Sequence, residues 1–416
     1  MTVANDNAER IQLDPSQSAG VDLLTQRGPG IVVMTGPPGS GKTTVVRNAL
    51  DIWQSRGLVV SAGAPTGKAA KRLAESIKQL ATTLHRMLGL APGGESAALS
   101  APPDACLMID ADVVVVDEAS MIDIMLMAVL VSRLRPTARL VLVGDVDQLP
   151  PVGADAPFAS FIASDRFPVA RLTTVHRSAA ESWVGRNAAQ RINLGKMPDL
   201  SDCNDFKFLE VEDAADVPDA AIRALLAWEG ERPPLLSPQR QGYAGVDNLC
   251  RVLQEALNPN GASYSRKGRG GMYLLRVGDP VINTVNDYGR HRMNGETGKV
   301  VEADAKGVVI DYGDSDEDGG RKERYKADTS AFLQLAYALT IHKSQGSEFP
   351  AVGVVAHSTH YKMLSRRLLY TAVTRAKQRG VILIGDEKGV HRAVTNGEDA
   401  ERNSALAEKL MQRIVA

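Results

Sequence analysis

The sequence predicts an α/β protein of two tandem units, the second carrying a small inserted β-barrel. Three observations predict it. An apolar run, Ile31 to Met34, leads through GPPGSGKTT into a helical pattern of Val45, Val46, Ala49, Leu50 and Trp53. Four consecutive valines, Val113 to Val116, fit a central parallel strand buried on both faces. Strand–helix alternation starts afresh at Pro233 and resumes at Leu333, around a stretch of short strands with Asn-Gly, Lys-Gly and Asp-Gly turns.

The bulk numbers agree. A chain of 416 residues has material for two or three domains, and 44% hydrophobic with 23% charged residues is a globular composition. The net charge of −1 means that a nucleic-acid partner would be held by a local basic groove. Cys106, Cys203 and Cys250 are too scattered for a zinc pattern or a disulfide framework and read as thiols of a reducing compartment. The N-terminus MTVANDNAER has no apolar signal core, and the apolar runs are strand-length. A cytoplasmic protein with no membrane partner is expected.

Along the chain, Asp14 reads as an N-cap and Pro15 as the first helical residue. Gln17 follows; its amide can pair with an adenine edge or simply face solvent. The stretch Gly36, Pro37, Pro38, Gly39, Ser40, Gly41, Lys42, Thr43 and Thr44 has the P-loop spacing. Its glycines let backbone N–H groups converge on phosphate oxygens. Lys42 would reach the β- and γ-phosphates of ATP, and the Thr43 hydroxyl would ligate Mg²⁺. Leu58 to Ser61 reads as a strand entering APTGKAAKRLAESI, with a helix from Lys68 to Ile77. Its turn, with Pro65, Thr66 and Lys68, lies either against a ligand or in solvent. Thr82 to Leu88 is a short helical piece containing Thr83 and His85, and 89–105 is a Gly/Ala/Ser/Pro-rich connection.

Asp117 and Glu118 end the valine strand, where α/β sites lie. There Asp117 would hold Mg²⁺ and Glu118 would orient and deprotonate water. Ile122 to Leu134 is helical, and Leu140 to Val143 is a buried strand running into GDVDQLPPVG. Gln148 there is either a γ-phosphate sensor or a turn residue. Arg171 to Ser178 reads as a strand that carries Arg177, with a unit boundary nearby. Phe206 to Val211 is an edge strand, Gly245 to Leu257 a helix, and Ser265 to Gly271 a basic loop. Arg375 lies near the end of a helix that starts at Leu368, next to Lys377. It is either aimed at a neighbouring nucleotide or a surface arginine favoured by the helix dipole. A last helix is expected from Ser404 to Ile414.

APTGKAA, VVVVDEASM, GDVDQLPPVG, LTIHKSQGSE and LYTAVTRAK, in that order behind a P-loop, resemble the motifs of the superfamily 1 DNA helicases, closest to the RecD-like group and its phage relative Dda. The resemblance runs from Gln17 to Asp386. It implies two tandem RecA-like P-loop domains, 1–178 and 179–416, with a short insertion at about 89–105 and an SH3-like β-barrel at 290–332. ATP and Mg²⁺ would bind between the domains. Gln17 would read adenine, Gln148 would couple the γ-phosphate to motion, and Arg177 and Arg375 would face that phosphate. Gly346 and Glu348 would line the nucleotide cleft. Pro65, Thr66, Lys68, Thr83, His85, Thr340, His342 and Lys343 would contact single-stranded DNA. Movement from 5′ to 3′ and partners at single-strand/duplex junctions also follow from the resemblance.

Three departures stand out. Gly20 replaces the family's Ala three places after the first-motif glutamine. No helix-rich N-terminal extension like that of long relatives is expected. The segment in which relatives place a strand-separating pin, Gly89 to Ala105, is short, which bears on unwinding more than on translocation. Two other expectations compete with a self-sufficient motor. One is a motor subunit inside a nuclease or recombination complex; the other is a nucleotide-controlled clamp of single-stranded DNA. A nuclease or a single-strand-binding protein is the expected protein partner.

Overall fold

The computed structural model describes residues 13–28, 30–91, 93–100, 107–175, 182–201, 203, 205–268, 271–286, 293–313, 321–326, 329–397 and 405–412. The first unit is built on β1 (Gly30–Thr35), β2 (Val60–Ala64), β3 (Ala81–Thr83), β4 (Val113–Val116), β5 (Arg139–Gly144) and β6 (Val169–Arg171). These pair in parallel in the order β3-β2-β4-β5-β1-β6. The four valines are all buried, because β4 has strands on both edges and apolar side chains on both faces. The P-loop helix, Lys42–Ser55, buries Val45, Val46, Ala49, Leu50 and Trp53, the stripe that its periodicity predicts.

The strand expected at 171–178 is not found there: β6 precedes it and shares only Arg171, 172–175 are not strand, and 176–178 lie outside the described residues. The pairing of β6 with β1 stops at Thr35↔Arg171, where β1 itself turns into the P-loop. The connection after Gly89 is not wholly irregular: Glu95–Ser100 forms a helix, and Ala98 packs on the apolar cluster beneath Leu126 and Leu130.

The second unit begins with β7 (Phe206–Glu210) and β8 (Leu235–Ser237). The basic stretch expected as a loop is instead largely a hairpin, β9 (Ser263–Gly268) with β10 (Gly271–Arg276). Its apolar residues Tyr264 and Leu275 are buried opposite one another, which pins the register. β11 (Pro280–Asn283), β12 (Thr297–Asp304), β13 (Gly307–Asp311), β14 (Lys322–Tyr325) and β15 (Leu333–Leu335) form an antiparallel sheet in the order β14-β13-β12-β11-β15. β16 (Ala338–Thr340), β17 (Phe349–Ala356) and β18 (Ala376–Gly385) then complete a second parallel sheet, β16-β8-β17-β18-β7. β7 lies at its edge, as its sequence suggested.

One apolar cluster joins helices Val217–Leu226 and Val246–Leu257 to Val281, Val300, Val308, Ile310 and Tyr325 of the antiparallel sheet. The inserted strands therefore share the core of the second unit. Leu149 of the first unit is buried in the other cluster of the second, among Leu368, Leu369 and Val373. The last described helix, Leu406–Gln412, returns to the first unit, where Leu406 and Leu410 join the cluster containing Phe158 and Phe161.

Candidate nucleotide site between the two sheets

The P-loop leaves the end of β1 and enters helix Lys42–Ser55 through Gly41, whose φ of 81° lies in the left-handed region. A Cβ on Gly41 would also sit 2.2 Å from Nε2 of Gln17. Glycine is thus required twice at this position, by backbone conformation and by crowding. Gln17 is buried, and its amide is already engaged. Oε1 accepts from the Asp14 N–H at 3.1 Å, completing a capping box, and Nε2 donates to the Ser40 carbonyl at 3.1 Å. Here it fastens the first helix to the phosphate loop. Lys42 Nζ donates to the carbonyls of Gly36 (2.6 Å) and Pro37 (3.1 Å), so it spans the loop that it closes.

Asp117 and Glu118 follow β4 directly. The Glu118 N–H donates to Asp117 Oδ1 at 2.9 Å, and Glu118 has φ of 51°, a left-handed conformation that costs a non-glycine residue energy. Burial pushes the Asp117 carboxyl up to about 6, and the Glu118 charge pushes it the same way; Lys42 and Arg72 oppose the shift.

The second unit closes the other side. Arg375 sits between helix Arg366–Val373 and β18 and is 3% exposed. Its guanidinium donates to the carbonyls of Thr371 (3.2 Å) and Ser347 (3.1 Å) and to Gln148 Oε1 (3.0 Å). It is therefore no surface arginine, and Gln148 is more than a turn residue. Gln148 Nε2 donates to Asp145 Oδ2 at 3.1 Å, which also accepts from the Tyr370 hydroxyl at 3.2 Å. Burial raises the Asp145 carboxyl and lowers the Arg375 guanidinium. Glu348 pairs with Arg72 at 2.7 Å and with Lys377.

A cavity of about 430 Å³ opens among these groups. Gln17, Lys42, Thr43, Asp117, Glu118 and Gln148 line it from the first unit, and Glu348 and Arg375 from the second. Gly346, with φ of 69°, lies just behind, against Thr66. Arg177 lies outside the described residues. A larger groove of about 780 Å³ runs along β7 and helix Val217–Leu226, and none of the candidate residues lines it.

The residues expected on DNA sit at strand ends, and several have structural duties. Pro65 precedes Thr66, which caps helix Gly67–Ile77 through Ala69 N–H at 3.2 Å. Thr83 caps the next short helix through Arg86 N–H at 3.3 Å. His85 pairs with Glu95 at 2.9 Å. The Lys68 ammonium lies 5.1 Å from the Phe349 ring centroid. Thr340 Oγ1 accepts from the Lys343 N–H at 3.3 Å, and Lys343 Nζ donates to Gln334 at 2.9 Å. His342 starts the short 3₁₀ turn that carries Lys343.

Sequence reasoning missed Arg72, Asp145 and Tyr370. Arg72 follows Lys68 by one helical turn, on the same face. Asp145 ends a buried strand, as Asp117 does, and that signal could have found it. Nothing local marks Tyr370, whose partner lies in the other unit.

Two parallel sheets, a phosphate loop on one and a buried arginine of the other lining the same cavity define a P-loop nucleotide-binding protein with its site between units. The family profile described as an AAA domain matches residues 12–214, and that of a UvrD-like helicase C-terminal domain matches 335–383. The RecBCD enzyme subunit RecD of Mycolicibacterium smegmatis is 34% identical over 426 residues, 92% of this chain and 72% of that subunit. The chain belongs to the RecD-like family of superfamily 1 helicases. The ATP-dependent RecD2 DNA helicase of Deinococcus radiodurans is 37% identical over 407 residues, 96% of this chain but 52% of that protein, so the chain spans about half of it. A solved structure of two coordinating Pif1 helicases at forked duplex DNA shares the fold, with a TM-score of 0.51 and 20% identity over 90% of this chain and 92% of that one. No described helix is long and apolar enough to cross a membrane.

Proposed function

We propose that this chain is an ATP-dependent DNA helicase motor that moves 5′ to 3′ on single-stranded DNA. The observation that carries the proposal is the shared cleft, with Lys42 and Glu118 on one wall and Arg375 and Glu348 on the other. The polarity rests on the resemblance to the 5′ to 3′ group of superfamily 1.

ATP is the substrate. Lys42 exchanges the Gly36 and Pro37 carbonyls for phosphate oxygens, and the backbone N–H groups of Gly39 to Thr44 complete the cradle. Thr43 and Asp117 fit Mg²⁺: a hydroxyl and a carboxylate, both hard oxygen donors, line one cavity beside the phosphate loop. Held by these two residues, Mg²⁺ would supply charge neutralisation for the phosphates. Glu118 orients the attacking water and takes its proton. Arg375 meets the charge that develops on the γ-phosphate, and Gln148, bonded to it, registers whether that phosphate is present. Gln17 borders the base. Because both walls meet the phosphate, binding closes the cleft and hydrolysis releases it.

Residues 1–178, with an insertion at 89–105, form the first motor domain, and 179–416 form the second. The inserted strands around 290–332 read as an SH3-like barrel. Pro65, Thr66, Lys68, Thr83, His85, Thr340, His342 and Lys343 face the strand. The grip is to backbone phosphates, so it is salt-sensitive and sequence-tolerant. A motor on DNA with scattered thiols belongs in the cytoplasm.

The test is ATP hydrolysis with and without single-stranded DNA, for wild type and Lys42→Ala, followed by strand displacement on forks of both polarities. DNA-stimulated hydrolysis that depends on Lys42, with displacement on one polarity, is expected. Hydrolysis indifferent to DNA would sink the motor reading. Likeness to RecBCD subunits favours a second reading, a motor subunit working with a nuclease, which co-purification with large partners would show.

A further inference from the structure

Helix Gly67–Ile77 starts at the strand-facing turn and ends its second turn in the nucleotide cleft. From there Arg72 reaches into the second unit. Nη2 lies 2.7 Å from Glu348 Oε1, and Nη1 donates to the Gly346 carbonyl at 3.3 Å. The first turn of the same helix seats on the same segment: a Cβ on Gly346 would lie 3.1 Å from Thr66 Oγ1. We propose that Arg72 is a positioning residue: it holds Glu348 at the mouth of the cleft and ties it to the helix whose first turn faces DNA. The inference rests on the reading of the cleft as a DNA-stimulated ATPase site.

Two features separate this pair from an ordinary surface ion pair, which contributes little. Glu348 is largely buried, its side chain 16% exposed. It also has a cation from its own unit, Lys377, so its charge is balanced without Arg72. What Arg72 adds is a link across the cleft. The link is two-pronged, with separate nitrogens to the carboxylate and to the carbonyl, a fixed fork that a lysine's single nitrogen does not reproduce. Any shift of the helix on engaging a strand is then passed to Glu348, and through it to the nucleotide side of the cleft.

The experiment measures steady-state ATP hydrolysis by the full chain, with and without saturating oligo-dT. The proteins are wild type, Arg72→Ala, Arg72→Lys, Glu348→Ala and the double alanine variant, each checked for folding by thermal melting. Arg72→Ala should lower the ratio of stimulated to unstimulated rate by about tenfold, a size usual for coupling between sites. Arg72→Lys, the gentler change, should stay low, and the double variant should be no worse than Glu348→Ala, because the two residues act as one unit. An unchanged ratio, full recovery with lysine, or losses that multiply would each overturn the inference. A wild type that DNA does not stimulate would instead overturn the proposed function, and the inference with it.

Discussion

Arg375 of the second unit donates to Gln148 of the first at 3.0 Å, and both are buried. The guanidinium is held in place by two carbonyls of its own unit, Thr371 and Ser347, before any substrate arrives. It also lines the cavity between the two units. Gln148 is fixed from its other end by Asp145. The two residues therefore form a hydrogen-bonded bridge between the units at the wall of the cavity.

Arg375→Ala should lower the hydrolysis rate by roughly 10³-fold, within the range for arginines that stabilise phosphoryl transfer. Arg375→Lys should not restore it, since one ammonium cannot serve three acceptors in a plane. Rapid-quench measurement of the hydrolysis step checks this. Near wild-type turnover in the lysine variant would reduce Arg375 to a structural cation.

Glu118 occupies a left-handed conformation next to Asp117, and glutamine fits the same backbone with the same hydrogen-bonding reach. Glu118→Gln should cut hydrolysis by about 10²–10⁴-fold, the usual contribution of a general base. Binding of a fluorescent ATP analogue should survive, because the phosphate cradle is untouched. Loss of binding in parallel with turnover would count against the general-base role.

The P-loop and the Asp117–Glu118 pair were legible because their chemistry lies in contiguous residues: glycines at fixed spacing, then an acidic pair after four valines. Helix stripes such as Val45, Val46, Ala49, Leu50 and Trp53 were legible for the same reason. Arg375 was ambiguous on its own, since a helix-end arginine suits solvent equally well, and only the resemblance to a family pointed inward. Arg72 and Tyr370 were illegible because their partners, Glu348 and Asp145, are distant in sequence and belong to the other unit. The middle of the hairpin, Ser265 to Gly271, has the composition of a loop because its arginines and glycines hide the strands whose buried Tyr264–Leu275 pair flanks it.

Leu149 is the first unit's anchor in the second. Its N–H donates to Thr371 Oγ1 at 2.9 Å, its carbonyl accepts from Gln345 Nε2 at 3.2 Å, and its side chain is buried. Leu149→Ala keeps both backbone bonds and removes only the packed atoms. It should cost about 2–5 kcal/mol of contact between the units, the range for a buried leucine. Calorimetry should then show two separated melting transitions where wild type shows one. A single transition at the wild-type temperature would mean that the docking does not depend on this side chain.

His360 gives a pH dependence away from the cleft. It follows β17 in the short 3₁₀ turn Ser358–His360, is 2% exposed, and its Nδ1 has no hydrogen-bond partner among the described residues. Burial, and then the neighbouring His357, depress its pKa to about 4 from an ordinary value of 6.5. The neutral ring is the form that the fold accepts. Between pH 6.5 and about 4 the unfolded chain therefore binds a proton that the folded chain refuses, and stability falls as the pH drops. The contribution is fully present above that window and is lost progressively through it, by about 3 kcal/mol at 1.36 kcal/mol per pKa unit. His360→Leu keeps an apolar side chain in that place and removes the titration. Urea unfolding at pH 7 and at pH 4.5 should show a smaller drop in the variant than in wild type. Equal drops would mean that other groups carry the acid sensitivity.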